Sequence, residues 1–165
     1  MDRVRTNSLF SLFLTRAFLP SLRVTARARP TLVVFIGSFA DETPMARITL
    51  YSATKHFSRR VALGLHADER FDTPDDKAIS FMYVRVGPVN SQLDREPPSF
   101  VRASSELFAE KLVGTFGCGR QVVIPYVGHY VIELVFTALP EILVTKMLHD
   151  SAHEHVEKAI KESKS

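Results

Sequence analysis

The chain has 165 residues, of which 45% are hydrophobic and 24% are charged. That composition is ordinary for a globular protein, and the length is sufficient to bury a core. The net charge is only +3, and no nucleic-acid motif accompanies the arginine-rich stretch that carries much of the excess, which comprises Arg16, Arg23, Arg27 and Arg29. We therefore expect a solvated loop there and no nucleic-acid partner. The single cysteine, Cys118, excludes an intrachain disulfide and is expected to be a packing residue.

The first predicted element is a helix that begins near Asn7 and ends near Pro20. Its apolar residues recur at helical spacing, at Leu9, Leu12, Phe13 and Ala17. Thr6 or Asn7 would cap this helix, and the proline would help to end it. A basic start followed by a short apolar stretch is also typical of a signal peptide. Because Arg16 interrupts the apolar stretch early, we favour the helix.

The elements that follow alternate between strands and helices. We predict strands at Thr31–Gly37, Ile79–Val86 and Gln121–Pro125, and helices at Tyr51–Ala67 and from Pro98 to about Thr115. The first of these helices has an apolar stripe of Phe57, Val61 and Leu65, and a charged loop at Glu69–Asp76 follows it. Nearly continuous apolar strands separated by helices indicate a parallel sheet with helices on both faces. We therefore predict an α/β body over residues 1–125.

Residues 126–165 are predicted to form a C-terminal helical region that is strongly apolar in its first half. A membrane-spanning helix is not favoured, because Glu133, Pro140 and Glu141 interrupt the apolar run. Two interpretations stay open. The region forms a helix over an apolar substrate opening or on a membrane surface, or it packs on the sheet or on a partner subunit.

Three histidines near the C terminus raise the question of a metal site. His149 and His153 are four residues apart, so one helical face would present both of them, and His155 follows closely. No further ligand has a defined spacing, and the flanking residues have the pattern of a solvated tail. We therefore predict no metal site.

The most informative motif combines Ser38, Tyr51 and Lys55. The tyrosine and the lysine are four residues apart on a predicted helix and therefore share a face. Ser38 follows the apolar, β-branched run Leu32-Val-Val-Phe-Ile36, which is typical of a buried strand. The alternative interpretation is a surface tyrosine and lysine on an amphipathic helix, with the serine in a turn.

The chemistry of this trio suits the reduction of a carbonyl or the oxidation of an alcohol. A free tyrosine, with a pKa of about 10, is a poor base at neutral pH, but a nearby ammonium favours its phenolate. Tyr51 would then exchange a proton with a substrate oxygen, and Ser38 would hydrogen-bond the same oxygen. The hydride must come from a cofactor, because no side chain supplies one.

These residues resemble the short-chain dehydrogenase/reductase family. The matching stretches are Gly37-Ser38, Tyr51-Ser-Ala-Thr-Lys55 and Tyr83-Val-Arg-Val-Gly-Pro-Val-Asn-Ser91. Family members have a serine, twelve intervening residues, a tyrosine, three residues and a lysine, as here. The resemblance is closest to the branch that contains 17β-hydroxysteroid dehydrogenases and very-long-chain 3-oxoacyl-CoA reductases. It implies a partial Rossmann-type, doubly wound parallel sheet and an oxidoreductase that uses NADP or NAD.

The resemblance also implies a role for each site residue. Tyr51 would be the general acid/base, and Lys55 would hold the nicotinamide ribose and favour the tyrosine phenolate. Ser38 would position the carbonyl, and Asn7 would hold a proton-relay water. In the turn after the next strand, contacts to the nicotinamide and phosphates are implied for Gly87, Val89 and Ser91, although Pro88 stands after the glycine where the family has proline before it.

One part of the family pattern is missing. The cofactor-binding half of such a fold begins with a strand and a glycine-rich turn that leads into a helix. The first glycine of this sequence is Gly37, and in Gly117-Cys-Gly119 the next glycine of the fingerprint is replaced by Val122. The sequence thus resembles the back half of a reductase, so activity of the chain alone is in question and one sheet edge is expected to be exposed. The alternative is a non-catalytic remnant that acts by dimerisation or partner binding.

The expected partners follow from the same comparison. The apolar C-terminal region suits a small lipid-like or steroid-like carbonyl or alcohol substrate. The family forms dimers through the helices that here carry Asn7 and Tyr51, so a homodimer is expected. Peripheral membrane contact is a further expectation. Nothing in the sequence fixes the compartment, and both the cytoplasm and the endoplasmic-reticulum membrane stay open.

Overall fold

The computed structural model describes residues 2–43, 45–73, 79–92 and 95–162. The strands are β1 (Leu32–Ile36), β2 (Ser80–Val84), β3 (Val89–Asn90), β4 (Ala103–Ser104) and β5 (Val122–Val123). The first helix, α1, comprises Asp2–Val4, a π-helical section at Arg5–Leu9, and Phe10–Ala26. The others are α2 (Thr49–Asp72), α3 (Ser105–Val113), α4 (Val127–Ala138) and α5 (Glu141–Glu162). A 3-10 turn, Phe39–Asp41, follows β1.

The central sheet is parallel and has the order β1-β2-β5. Its register runs from Leu32 opposite Ser80 to Ile36 opposite Val84, and β5 joins where Val122 pairs with Tyr83. A second, two-stranded parallel sheet is formed by β3 and β4. The prediction of an α/β fold with a parallel sheet is confirmed.

Helices cover both faces of the central sheet. Successive side chains of β2 point to opposite faces, as they do in any strand. Phe81 and Tyr83 belong to one buried cluster, in which α1 and α2 pack on the sheet. Met82 and Val84 belong to a second cluster on the other face, where α3 packs through Phe108. This arrangement is the doubly wound layering that the apolar strands predicted.

The helix α1 continues through Pro20 to Ala26, so the predicted end near the proline is wrong. A proline inside a helix removes one N–H donor and crowds the preceding turn. Leu22 and Ala26 pack in the core beyond that point, and their burial offsets the local cost. Tertiary packing therefore determines where this helix ends.

The arginine-rich stretch is only partly a loop. Arg16 and Arg23 lie within α1, and Arg23 Nε donates to Glu69 Oε1 at 2.9 Å. The prediction of a solvated loop is therefore wrong for these two residues. The section Arg5–Ala26 is long and apolar enough to cross a membrane by length and composition. Since its Leu19 packs against the sheet, we assign this helix to the layered body.

The helix α2 extends beyond the predicted Tyr51–Ala67 at both ends. The predicted charged loop is correspondingly shorter, and its Pro74 lies outside the described residues. Within the predicted apolar stripe, Val61 and Leu65 pack against the core. Phe57, in contrast, is 37% exposed, so it does not belong to the buried face.

The helix α3 begins at Ser105, so the predicted start near Pro98 is wrong. The hydroxyl of Ser104 accepts a hydrogen bond from Leu107 N at 3.2 Å and caps the helix. The residues from the proline to this cap include β4, which ends at the cap residue and pairs with β3. The sequence offered two start signals here, and the serine cap is the one that the fold uses.

The apolar C-terminal segment forms two helices that separate at Pro140. A Cβ on Gly128 of α4 would lie 1.9 Å from the carbonyl oxygen of Phe100, so only glycine permits this close approach to the body. Large apolar residues of α4 that remain exposed are Val127, Tyr130, Val131, Leu134 and Val135. One side of α4 thus packs on the protein, and membrane contact by the other side stays a prediction.

Two further features are exposed. Within the described residues, β1 pairs only with β2 and forms an edge of the sheet, where Ile36 is 52% exposed. This agrees with the expected exposed edge. Cys118 is exposed as well, so its assignment as a packing residue is wrong. It lies in the loop after α3, between two glycines with left-handed backbone conformations, Gly117 and Gly119.

Candidate active site

Tyr51 and Lys55 lie on the first turns of α2. The Nζ atom of Lys55 is 5.6 Å from the centroid of the Tyr51 ring, a distance at which the ammonium interacts with the aromatic face. Neither side chain is fully buried. The structure therefore brings these two predicted site residues together on an accessible face of the helix.

The ammonium of Lys55 is held at the carboxyl end of β1. Its Nζ donates a hydrogen bond to the carbonyl oxygen of Ile36, the last residue of the strand, at 3.0 Å. Burial lowers the pKa of Lys55, because the charged form loses part of its hydration. The lysine thus connects α2 to the end of β1. The predicted Ser38 follows the last residue of that strand by two positions.

Ser38 directly follows this strand and caps the 3-10 turn. Its Oγ accepts a hydrogen bond from Ala40 N at 3.2 Å, which leaves the hydroxyl proton available to donate. The preceding Gly37 has no room for a side chain, because a Cβ would lie 2.1 Å from Cζ of Tyr83. The same tyrosine donates from its hydroxyl to the carbonyl oxygen of Lys55 at 3.1 Å. Tyr83 therefore fixes the serine turn against the helix of the candidate site.

Asn7 hydrogen-bonds to α2 directly but is linked to Tyr51 only through Thr54. Its Nδ2 donates to Thr54 Oγ1 at 3.4 Å, and its carbonyl oxygen accepts from Ser58 Oγ at 3.0 Å. Thr54 in turn donates to the carbonyl oxygen of Tyr51 at 2.7 Å. The predicted capping role is wrong, because Thr6 and Asn7 both lie inside the π-helical section, a feature often found at functional sites.

A buried histidine holds the turn after β2. Gly87 N donates to His129 Nδ1 at 3.3 Å, and His129 Nε2 donates to the carbonyl oxygen of Pro88 at 2.8 Å. The ring is fully buried and is surrounded by the aromatic rings of Phe39, Phe108 and Tyr126. Burial lowers the pKa of His129, so the ring is neutral, with the proton on Nε2. Sequence analysis missed this residue, since nothing near it in the chain distinguishes it.

The other two predicted cofactor contacts lie just beyond that turn. Val89 opens β3 and packs against the second core cluster, and Ser91 follows the strand directly. The backbone N–H of Gly87 donates to His129, so it is already used within the protein. The structure thus places the three residues in one ordered segment, held by α4 and β4.

Five charged residues form a network next to the serine turn. Arg85 Nε donates to Asp41 Oδ1 at 3.0 Å, and Arg59 Nη1 lies 3.6 Å from Asp41 Oδ2. Arg59 also pairs with Glu42, and Arg85 with Glu133. The aspartate side chain is fully buried, and the Arg85 side chain is only 4% exposed. Because Asp41 ends the turn that Ser38 caps, this network fixes the position of the turn.

Burial and neighbouring charge compete in this network. Burial raises the pKa of Asp41, although the guanidinium groups of Arg85 and Arg59 act in the opposite direction. Burial lowers the pKa of Arg85, but Asp41 and the other carboxylates outweigh it and leave that pKa raised. Two signals in the sequence could have revealed the network: Arg85 extends an apolar strand, and Glu133 interrupts an apolar helix.

The comparisons with known proteins identify the fold. No family model and no curated protein matches the sequence. A short chain dehydrogenase from Burkholderia cenocepacia J2315, crystallised in complex with NADP, matches with a TM-score of 0.69 and 18% identity, over 85% of this chain and 55% of that one. A bulky-bulky ketone specific alcohol dehydrogenase from Comamonas testosteroni matches with a TM-score of 0.57 and 19% identity, over 81% of this chain and 52% of that one. The chain therefore shares its fold with these enzymes and spans about half their length.

Proposed function

We propose that this chain carries the catalytic half of an NAD- or NADP-dependent oxidoreductase of the short-chain dehydrogenase kind. Its substrate would be a ketone or a secondary alcohol of an apolar, lipid-like or steroid-like molecule. The observation that carries the proposal is the pairing of the Tyr51 ring with the Lys55 ammonium at the carboxyl end of β1. The fold shared with two dehydrogenases supports an oxidoreductase of this kind.

In the proposed reaction the chain's own residues handle the proton. Tyr51 delivers a proton from its hydroxyl to the carbonyl oxygen on reduction and takes it back on oxidation. The ammonium of Lys55 favours the phenolate that remains. Ser38 donates its hydroxyl proton to the same oxygen and fixes its position. Asn7 would hold a relay water near this helix, and a bound nicotinamide supplies the hydride.

The residues present fit one end of a nicotinamide cofactor. Lys55 spends one of its three donors on Ile36, so two remain for the hydroxyl groups of a ribose. Gly87, Val89 and Ser91 would line the nicotinamide side, although the histidine already engages the glycine donor. The sequence contains no glycine-rich G-x-G-x-x-G turn, so this chain lacks the phosphate contacts that such a turn provides.

The assignment of the chain to one branch of the family rests on local sequence similarity and on the apolar C-terminal helix. The stretch Tyr51-Ser-Ala-Thr-Lys55-His-Phe and the apolar helix α4 favour the branch with 17β-hydroxysteroid dehydrogenases and very-long-chain 3-oxoacyl-CoA reductases. The exposed apolar side of α4 supports an apolar substrate, because such a surface would cover hydrocarbon.

The test is a titration of the purified chain with NADPH and NADH, followed by a ketone screen. We expect saturable binding, which Lys55→Met weakens and Tyr51→Phe leaves intact. Loss of the phenol should lower turnover about a hundredfold or more. Phe71→Leu is the control, because that side chain is 87% exposed near the end of α2, away from the candidate site, and should leave turnover unchanged. Equal turnover of the Tyr51→Phe variant and the native chain would contradict the assigned role.

A second candidate function is a non-catalytic dimerisation or partner-binding module. It is favoured by the exposed aromatic face of α1, where Phe10, Phe13 and Phe18 are 59%, 58% and 56% exposed. Exposed apolar area of this kind usually marks an interface. We propose that two copies of the chain pair through α1 and the neighbouring α2.

Sedimentation of the purified chain, read together with the cofactor titration, distinguishes the two candidates. A dimer should dissociate at least about tenfold more readily in Phe13→Glu, because the charge would be buried in the interface. Val127→Glu, on the exposed side of α4, is the control. A folded dimer that binds neither NADPH nor NADH would favour the module over the enzyme, and a monomeric native chain would exclude the proposed pairing.

A further inference from the structure

The central sheet leaves a gap beside the first half of β2. Tyr83 N donates to the carbonyl oxygen of Gln121, at the start of β5, at 2.7 Å. Two residues earlier, Phe81 N points to the same side of the strand, because alternate backbone donors share a side. Within the described residues no strand lies there, and this donor is taken by His66 Nδ1 at 3.2 Å. The His66 side chain thus takes the acceptor position that a neighbouring strand would otherwise provide.

A cavity of about 450 Å³ opens next to this gap, at the amino ends of β1 and β2. It lies at the opposite end of the strands from Tyr51 and Lys55. Its walls are apolar at Leu32, Phe81 and Phe116 and basic at His66, Arg70 and Arg120. No aspartate or glutamate lines the cavity in the part of the chain that the structure describes.

The three basic residues all present hydrogen-bond donors. Among the residues that the structure describes, neither Arg70 nor Arg120 forms an ion pair with a carboxylate. His66 accepts a hydrogen bond at Nδ1, so its proton lies on Nε2, where it can be donated. Burial lowers the pKa of His66, and the charge of Arg70 lowers it further. Both effects favour the neutral ring.

We propose that this cavity binds a small organic anion with a flat apolar body, such as an aromatic carboxylate. A guanidinium group matches a carboxylate with two parallel hydrogen bonds, and Arg70 and Arg120 supply two such groups. The body of the ligand would lie against Phe116 and Leu32, which form the apolar wall. A small aromatic acid suits a cavity of this volume, because ligand sites are mostly apolar with a few polar anchors.

The test uses 2-naphthoate as the probe and 2-naphthamide as its uncharged counterpart. The chain contains no tryptophan, so the fluorescence of the naphthalene ring can be followed directly. We expect saturable binding of the acid and at least about tenfold weaker binding of the amide, because only the acid forms charge-assisted hydrogen bonds. Equal affinities for the two probes would overturn the proposal.

Variants locate the site and separate it from general attraction to a basic protein. Arg70→Gln and Arg120→Gln should each weaken 2-naphthoate binding about tenfold. Arg16→Gln removes an exposed arginine of α1, outside the cavity, and should leave binding unchanged. An equal loss in the control, or full retention in both cavity variants, would refute the site. Circular dichroism should show the same fold throughout.

The exposed Cys118 provides an independent readout, because it stands between two glycines that line the cavity. A fluorophore attached at this single cysteine should change its emission as 2-naphthoate saturates, with the same midpoint as the direct titration. Tyr51→Phe should not alter this midpoint, so the outcome is independent of the proposed oxidoreductase activity. A label that does not respond at saturating probe would place the binding elsewhere and overturn the proposal.

Discussion

Replacement of Arg85 by methionine tests whether the buried charge network stabilises the candidate site. The side chain is 4% exposed, and its Nε is 3.0 Å from the fully buried carboxylate of Asp41. Methionine keeps much of the apolar volume, so the main effect is an aspartate left without its closest partner. Arg59, whose Nη1 is 3.6 Å from Asp41 Oδ2, remains as a charged neighbour of that carboxylate. Breaking a buried pair in this way costs about 3–5 kcal/mol, and we expect the free energy of unfolding to fall by that amount.

The assay is urea unfolding followed by circular dichroism. The double variant Asp41→Asn/Arg85→Met should recover part of the loss, with a coupling of at least about 1 kcal/mol between the two positions. Lys111→Met is the control, because its pair with Glu110 is exposed on both sides, and it should change stability by less than about 0.5 kcal/mol. A loss below about 1 kcal/mol for Arg85→Met, or no recovery in the double variant, would refute the reasoning.

Three further predictions concern stability. Gly37→Ala should cost about 1–3 kcal/mol by forcing a methyl group into the ring of Tyr83, and adding Tyr83→Leu should recover part of the lost melting temperature. Ser104→Ala should cost about 1 kcal/mol in urea unfolding, because α3 loses its cap. The pKa of His129 is lowered in the folded state, so below about pH 6.5 the unfolded chain binds more protons. The free energy of unfolding should therefore decrease as the pH falls below that value, and this slope should be smaller in His129→Gln.

Local patterns predicted most of the body of the fold. The nearly continuous apolar runs at β1 and β2 predict both strands, because strands buried on both faces contain little else. The end of α1 was wrong, because the signal at Pro20 is local, whereas burial of Leu22 and Ala26 is decided by the sheet. The start of α3 was wrong for a related reason, since an early proline and a later serine cap both mark helix starts.

The same distinction between local and long-range signals applies to the residues of the candidate site. Tyr51 and Lys55 come together because helical spacing alone places residues four apart on one face. The contact between Asp41 and Arg85 joins residues 44 positions apart, and no local pattern specifies their meeting. An arginine that extends an apolar strand is nevertheless a usable signal, because a buried guanidinium requires a carboxylate.

Hydrogen bonds within the protein fix each segment of the candidate site. The helix with Tyr51 is tied to α1 through Asn7, the serine turn is tied to β2 through Asp41, and the turn at Gly87 is tied to α4 through His129. Each of these contacts satisfies a group that would be costly to leave unpaired. The positions of the segments therefore follow from the fold itself, so a cofactor would meet a site that is already arranged. In that case, binding should show little change in far-ultraviolet circular dichroism, whereas a site ordered by its ligand would gain helical signal.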